Sequence, residues 1–192
     1  MAGRQAKILS NTVIARALRQ ASKSGTPARD RAIFLLSVRA GLRACEIAGL
    51  SWSMVTNENG RVSRLIELED RIAKKGSGRR IPMHPELRCA LQALKPTSPD
   101  RRAPVIASTR GGPMTANSIV NWFIALYAAI GAHGCSSHSG RRTFITRAAR
   151  QAHRAGASLR DVQLLAGHKS IEVTQAYIEG DCDAQRLLVS LL

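Results

Sequence analysis

Apolar residues recur every three or four positions along most of the chain, a spacing typical of amphipathic helices. The pattern predicts helices over residues 11–21, 30–38, 44–49 and 84–94, and four more that begin near Thr115, Ser137, Ser158 and Ser170. Ser and Thr at such positions can accept a hydrogen bond from a first-turn amide, and Asp161 completes a capping box with Ser158.

Two short regions follow a different pattern. In residues 62–72 and 79–83 apolar and polar positions alternate, and the apolar ones include Val, Ile and Leu, which predicts two strands. The segment between them, Lys74-Lys75-Gly76-Ser77-Gly78, is typical of a hairpin turn. We therefore predict a mainly helical domain with a small antiparallel β-sheet, in the α+β class.

The charge balance narrows the class of partner. The chain has 192 residues, enough for one domain, with 29 Lys+Arg against 13 Asp+Glu and a net charge of +16. So large an excess of positive charge repels itself unless a polyanion neutralises it, and arginine grips phosphate with a planar fork of donors. Nucleic acid is therefore the expected partner. No apolar run is long enough to form a membrane-spanning helix.

The cysteines indicate a reducing compartment. They are widely separated and form no C-x-x-C pair: Cys45, Cys89, Cys135 and Cys182. This favours free thiols in a bacterial cytoplasm, where we expect a nucleoid-associated protein. His133, Cys135 and His138 form an H-x-C-x-x-H pattern, but no second pair completes four ligands, so we predict no metal and no cofactor.

A basic stripe marks the helix that begins near Ser137. Arg147, Arg150 and Arg154 share one helical face, and residues 141–155 contain no acidic residue. The opposite face is predicted to be buried through Phe144, Ile145, Ala148 and Ala152. The stripe is interpreted as phosphate-facing, and a solvated surface stripe is the alternative.

Four motifs follow one another in the chain. They are Gly41-Leu42-Arg43-Ala44-Cys45-Glu46-Ile47-Ala48-Gly49-Leu50, Lys74-Lys75-Gly76-Ser77-Gly78-Arg79-Arg80-Ile81-Pro82, His138-Ser139-Gly140-Arg141-Arg142-Thr143-Phe144, and Gly167-His168-Lys169-Ser170-Ile171 with Tyr177 nine residues after the histidine. In residue type, order and spacing they resemble the catalytic domain of the tyrosine recombinases, the phage integrase family. The resemblance covers about residues 8–180.

The resemblance implies a set of catalytic roles. Arg43 and Arg141 would hold the non-bridging oxygens of a scissile phosphate. His138 and His168 would donate to the same phosphate, and His138 is also a candidate to accept the nucleophile's proton. Tyr177 would be the nucleophile, forming a 3′-phosphotyrosyl link.

The remaining roles concern the leaving group and the support of the site. Lys74 matches the family spacing to Pro82 and would protonate the leaving 5′-oxygen, with Lys75 as the alternative. Glu46 would orient the active-site groups from behind. Cleavage and rejoining of DNA through a phosphotyrosyl link would require neither ATP nor metal.

The resemblance also implies the partners. Double-stranded DNA would be the substrate, bound by a homo-oligomer, a tetramer, that would be weakly associated or monomeric without DNA. The basic residues expected to contact DNA are Arg79, Arg80, Arg142, Arg147, Arg150 and Arg154. A type IB topoisomerase activity, or a DNA-binding regulator that retains the fold without catalysis, are the alternatives.

The expected organisation has three parts. Residues 1–27 form a segment with the first helix and no separate core-binding domain, 28–180 form the catalytic domain, and 181–192 form a helical tail. The tail is expected to be exchanged between protomers, with folding back on its own domain as the alternative. Either the sequence is a fragment or the recombinase is naturally minimal, and we expect weak, strongly salt-dependent binding to DNA.

Three positions depart from the family pattern. Gly140 and Arg142 replace a Leu and a His, and Ala166 replaces a Leu. Because glycine costs about 1 kcal/mol inside a helix, these changes predict a locally less rigid site.

Overall fold

The computed structural model describes residues 6–73, 76–97, 100–177 and 189–190. The elements are α1 Asn11–Ala21, α2 Pro27–Ala40, α3 Ala44–Gly49, β1 Leu65–Leu68, β2 Arg79–Pro82, α4 Pro85–Leu94, α5 Ala116–Ala129, α6 Ser139–Ala152, α7 Leu159–Ala166 and α8 Ile171–Gln175, with short 3₁₀ turns at Trp52–Met54 and His153–Ala155. The predicted fold class, mainly helical with a small antiparallel sheet, is confirmed. None of the helices in these ranges is long and apolar enough to cross a membrane.

Side-chain caps define several of the predicted helix starts. The hydroxyl of Ser10 accepts from the amide of Val13, and that of Thr115 accepts from Ser118. The predicted capping box of Ser158 and Asp161 opens α7. The helix predicted over 30–38 is longer than expected, because Pro27 suits the first turn of a helix and the left-handed Gly41 (φ 66°) ends it.

The sheet consists of β1 and β2 in antiparallel register, from Leu65 opposite Pro82 to Leu68 opposite Arg79. Ile66 and Ile81 face each other on the buried side. The first strand is shorter than the predicted 62–72, because residues 69–73 fold into turns. Lys74 and Lys75 of the predicted hairpin turn lie outside the described residues.

The helix α2 is the centre of the main core. Four consecutive residues, Ile33 to Leu36, are fully buried, since α2 packs against both α4 and α6. Leu9 and Ile14 join the same core from the segment around α1. The first helix therefore packs against α2 and α5, and Leu9 before it is bonded to Thr143 of α6.

A second, smaller cluster supports the site. Ile145 of α6 packs with Val162 and Ala166 of α7, and Phe144 and Tyr177 lie against them. The predicted apolar face of α6 is confirmed, and it connects the helix that carries Arg141 to the segment that carries Tyr177. The predicted helical tail 181–192 lies outside the described residues except for 189–190.

Two of the departures from the family pattern have a structural reason. A Cβ on Gly140 would lie 2.3 Å from the hydroxyl oxygen of Ser37, so glycine allows α6 to approach α2 closely. Ala166 is buried in the second cluster, and its carbonyl accepts from Arg141. Both small residues lie in close contacts, and the lower rigidity expected at these positions stays a prediction.

Candidate active site

The first, third and fourth motifs converge on one cleft of about 910 Å³. Five of the six predicted catalytic residues line it: Arg43, His138, Arg141, His168 and Tyr177. The sixth, Lys74, lies outside the described residues, as does its alternative, Lys75. These residues lie far apart in the sequence, from residue 43 to residue 177, and the packing of α6 against α2 and α7 brings them together.

Arg141 ties two motifs together from the first turn of α6. It is 4% exposed, and its guanidinium donates to the carbonyl oxygens of Gly41 (2.6 Å) and Ala166 (2.7 Å). Burial, and then the neighbouring charge of Arg43, lower the pKa of Arg141 to about 10. Arg141 still carries its charge at neutral pH, held at the base of the cleft by backbone oxygens.

The tautomer of His168 follows from its two neighbours. Nη2 of Arg141 lies 3.0 Å from Nε2 of His168, and a guanidinium can only donate, so Nε2 is the acceptor. Nδ1 therefore carries the proton and donates to the hydroxyl of Thr174 at 2.9 Å. Burial, and then the charges of Arg141 and Arg43, lower the pKa of His168 to about 4, which keeps the ring neutral near pH 7.

Glu46 lies behind the site and is fully buried. Its carboxylate accepts from the amide (2.9 Å) and Nη1 (2.8 Å) of Arg43, and from Nη1 (3.0 Å) and Nη2 (3.1 Å) of Arg79. Burial by itself raises the pKa of Glu46, but the hydrogen bonds and charges of Arg79 and Arg43 outweigh it, and the pKa is lowered. The carboxylate is thus an anion that holds two arginines.

Tyr177 is half-buried at the wall of the cleft. Its ring stacks on that of His168, with centroids 5.4 Å apart and an interplanar angle of 27°. The hydroxyl of Thr146 donates to its carbonyl oxygen at 3.3 Å. Tyr177 is therefore placed both by α6 and by the histidine whose tautomer Arg141 sets.

His138 and Arg142 line the cleft from the start of α6. His138 is exposed at the N-cap position, and Arg142 is half-buried on the following turn. Within the described residues, Nε of Arg142 has no hydrogen-bond partner. The arrangement leaves this basic side chain beside the cleft, where the predicted contact of Arg142 with DNA remains a prediction.

The other predicted DNA contacts separate into two groups. Arg80, Arg150 and Arg154 are exposed, and Arg80 pairs with Glu67 at 3.2 Å. Arg147 instead donates to the carbonyl oxygen of Leu9 (3.1 Å) and to Asn11 (2.8 Å), so one residue of the predicted stripe holds the segment before α1.

The structure corrects the placement of Arg79. The expectation that Arg79 faces DNA does not fit its position, because its side chain is only 6% exposed and its guanidinium is bonded to Glu46 and to the carbonyl oxygen of Leu165. A donor group so fully engaged inside the protein has no surface to offer a phosphate.

Among the lining residues that the sequence did not assign to the site, two have basic side chains, Lys7 and His133. The side chain of Lys7 runs past Gly134, and the amide of Leu9 donates to the hydroxyl of Thr143 at 2.8 Å, which fixes this segment beside α6. No sequence signal connects Lys7 with positions more than a hundred residues away. His133 belongs to the H-x-C-x-x-H pattern, and the described residues contain no group of three or more potential metal ligands.

Three arginines, three histidines and a tyrosine line this cleft, a set typical of a site that binds and attacks a phosphodiester. The sequence profile of the Phage integrase family matches residues 7–182. The chain belongs to the phage integrase family.

The chain is also similar to individual bacterial proteins. It is 31% identical over 166 residues to the tyrosine recombinase XerC of Brucella suis biovar 1 (strain 1330), covering 84% of this chain and 49% of the relative. It is 32% identical over 164 residues to the XerC of Rhodospirillum centenum (strain ATCC 51521 / SW), covering 83% of this chain and 44% of the relative. The chain thus spans about half the length of the curated relatives it matches.

Solved structures share the fold. The XerA recombinase superposes with a TM-score of 0.73 at 22% identity, over 100% of this chain and 65% of that chain. A lambda integrase dimer bound to a COC′ core site superposes with a TM-score of 0.70 at 22% identity, over 92% and 60% of the two chains.

Proposed function

We propose that this chain supplies the catalytic domain of a site-specific DNA recombinase, which cleaves and rejoins duplex DNA through a 3′-phosphotyrosyl intermediate. The convergence of Arg43, Arg141, His168 and Tyr177 on one cleft, in a member of this family, is the observation that carries the proposal. A DNA-binding regulator without catalysis would need the basic surface, but it would not need two arginines and a histidine placed around a tyrosine.

In the proposed cleavage step, the phenolic oxygen of Tyr177 attacks the scissile phosphorus. A bond forms from Tyr177 to phosphorus, the bond from phosphorus to the 5′-oxygen breaks, and the guanidiniums of Arg43 and Arg141 stabilise the charge on the non-bridging oxygens. His138 takes the proton of the phenol, and Lys74 or Lys75 protonates the leaving 5′-oxygen. The phosphotyrosyl bond preserves the energy for rejoining.

The resting contact between Arg141 and His168 has a consequence for this step. In the free protein Nε2 of His168 accepts from Arg141, so it has no proton to give a phosphate. A bound phosphodiester brings a negative charge and acceptor oxygens beside the pair, and this favours protonation of His168. His168 then donates to the phosphate only after DNA has entered.

Duplex DNA is the proposed partner, and a tetramer on DNA is the proposed assembly, acting on the nucleoid in a bacterial cytoplasm. The net charge of +16 supports a polyanionic partner. Neighbouring structures include a lambda integrase dimer on a core site and the Tn1549 transposon integrase with a circular intermediate DNA.

Trapping of a covalent adduct tests the proposed activity. The probe is a pool of nicked duplexes with a randomised central sequence. Because of the nick, cleavage releases a short fragment that carries the 5′-hydroxyl, so the strand cannot be rejoined and the adduct accumulates. We expect a denaturant-stable link to a 3′-end, which Tyr177→Phe abolishes because the phenolic oxygen is the nucleophile. Sequencing of the trapped strands identifies the site.

The chain contains a matched control. Tyr127 is its only other tyrosine, and within the described residues its buried hydroxyl has no hydrogen-bond partner. Tyr127→Phe is expected to retain adduct formation. An absence of adduct from the unaltered chain across the whole pool, with DNA binding intact, would favour the regulator over the recombinase.

A further inference from the structure

Arg79 joins two motifs that lie far apart in the sequence. It is the first residue of β2, and the two ends of its guanidinium point to different elements. Nη1 and Nη2 form a fork on the carboxylate of Glu46 in α3, at 3.0 and 3.1 Å. Nε donates to the carbonyl oxygen of Leu165, in the last turn of α7, at 2.9 Å.

The contact with Glu46 extends to Arg43. The same carboxylate accepts from the amide and the guanidinium of Arg43, so Glu46 lies between two arginines, one facing the cleft and one behind it. Because Glu46 has no exposed surface and Arg79 very little, neither can move without leaving a buried charge unpaired. The position of Arg43 thus depends on where β2 holds Arg79.

The contact at α7 extends to His168. Gly167 ends α7 in the left-handed region (φ 63°), and a Cβ on it would lie 2.9 Å from Nη1 of Arg79. The guanidinium therefore packs directly against the residue before His168, while its Nε holds the preceding turn. Only glycine allows the guanidinium to lie this close to the backbone. The contact therefore fixes the position of the backbone that leads into His168.

We infer that Arg79 is a positioning residue that fixes the separation between Arg43 and His168, and that it makes no contact with DNA itself. The inference rests on the proposed function of the cleft. A planar guanidinium can bind a carboxylate with two donors and a carbonyl with a third, whereas the ammonium of lysine cannot reproduce this fork. Arg79 thus connects the first, second and fourth motifs through a single side chain.

The neighbouring residue shows the contrast. Arg80 points to the other side of the strand, its side chain is 76% exposed, and it pairs only with the exposed Glu67 in the contacts described for it. Of the two adjacent arginines, Arg80 is the one available to a phosphate.

The first test uses the free protein and needs no DNA. The ¹⁵N spectrum of the imidazole of His168 reports its tautomer, and we expect the Nδ1–H form in the unaltered chain. In Arg79→Lys the fork is lost and the charge is kept, so the Arg141–His168 contact loosens and the spectrum shifts toward a mixture of tautomers. Arg71→Lys is the matched control, since Arg71 forms an exposed ion pair with Glu69.

The second test uses the adduct assay at saturating DNA. We expect Arg79→Lys to slow adduct formation by roughly 10- to 100-fold, the effect of a misplaced catalytic group, with the salt dependence of DNA binding unchanged. Arg71→Lys is expected to react at the unaltered rate. If the unaltered chain forms no adduct, the proposed function fails, while the spectrum of His168 still decides the role of Arg79.

The inference is overturned if Arg79→Lys keeps the His168 spectrum and the adduct rate of the unaltered chain. It is also overturned if Arg79→Gln, which removes the charge, mainly weakens DNA binding and makes the slope of log K against log salt smaller by about 0.9, the signature of one lost phosphate contact. Urea unfolding is measured first, and if the lysine variant does not fold, Arg79→Gln is put through the same two tests.

Discussion

His168 shows how much a single residue depends on its neighbours. Arg141 determines which ring nitrogen accepts, Thr174 receives the remaining proton, and Tyr177 stacks on the ring. The residue type is in the sequence motif, but its neutral state at pH 7 is a product of burial beside cations. Its protonation is therefore a sensitive report on the site.

The lowered pKa of His168 predicts a pH-dependent stability. Between the ordinary value of 6.5 and about 4, the unfolded chain binds a proton at this residue and the folded chain does not. The contribution of neutral His168 is thus fully present above pH 6.5 and is lost as the pH falls through this window. Urea unfolding at several pH values should show a smaller decline for His168→Gln than for the unaltered chain.

The exposed His153 provides the comparison, because it lies at the end of α6 away from the cleft. His153→Gln should leave the decline in place. An identical decline in His168→Gln and in the unaltered chain would mean that other groups cause it.

At the scale of elements, the site depends on how closely α6 lies to α2. Gly140 in α6 faces the hydroxyl of Ser37, which is buried and has no hydrogen-bond partner among the described residues. The contact brings Arg141, the next residue, within reach of the carbonyl of Gly41 at the end of α2. The helix crossing therefore helps to shape the cleft.

Gly140→Ala tests this crossing. The added Cβ would lie 2.3 Å from Oγ of Ser37, so we expect a loss of about 1–3 kcal/mol in the free energy of unfolding, as is typical of overpacking. Ser37→Gly in the same chain should recover part of the loss, measured by urea unfolding. Gly25→Ala is the control, since no described atom would lie within 4 Å of its Cβ, and a loss as large there would refute the steric explanation.

The elements also show what local pattern can and cannot predict. The predicted helix of 11–21 agrees with α1 because its cap and apolar spacing are local features. The first strand is shorter than its alternating pattern, because turns after Leu68 compete with pairing to β2. The local pattern thus predicts whether a segment is a helix or a strand. Its length depends on how far the neighbouring strand or helix can pair or pack with it.

For the whole molecule, charge and packing act together. The net charge of +16 favours a polyanion at any point of the surface. The packing of the segment before α1, held by Thr143 and Arg147, brings Lys7 to the same cleft as Arg43. In the proposed function, this cleft would add specific contacts to the general attraction of the surface.

Salt dependence measures this attraction. We expect binding to a short duplex to weaken by roughly 10³-fold between 50 and 200 mM salt, as for proteins that make about six phosphate contacts. Lys7→Gln should reduce the slope of log K against log salt by about 0.9, the loss of one contact. Fluorescence anisotropy with a labelled duplex provides the measurement.

Lys23→Gln is the matched control for Lys7, because Lys23 is exposed after the end of α1 and does not line the cleft. Equal slopes for the two variants would show that Lys7 contributes only to the general charge. Tight binding with a shallow slope in the unaltered chain would contradict the electrostatic account itself.

The sequence alone determined the helices and strands, the motifs and the residue types of the candidate site, because periodicity, caps and spacing are local properties of the chain. The tertiary structure decided the rest. It placed Arg79 inside and Arg80 outside, added Lys7 to the cleft and set the tautomer of His168. The positions of Arg79 and Arg141 depend on carbonyl and carboxylate oxygens contributed by distant segments, and only the packing of α3, α6 and α7 with the sheet brings those groups within hydrogen-bond distance.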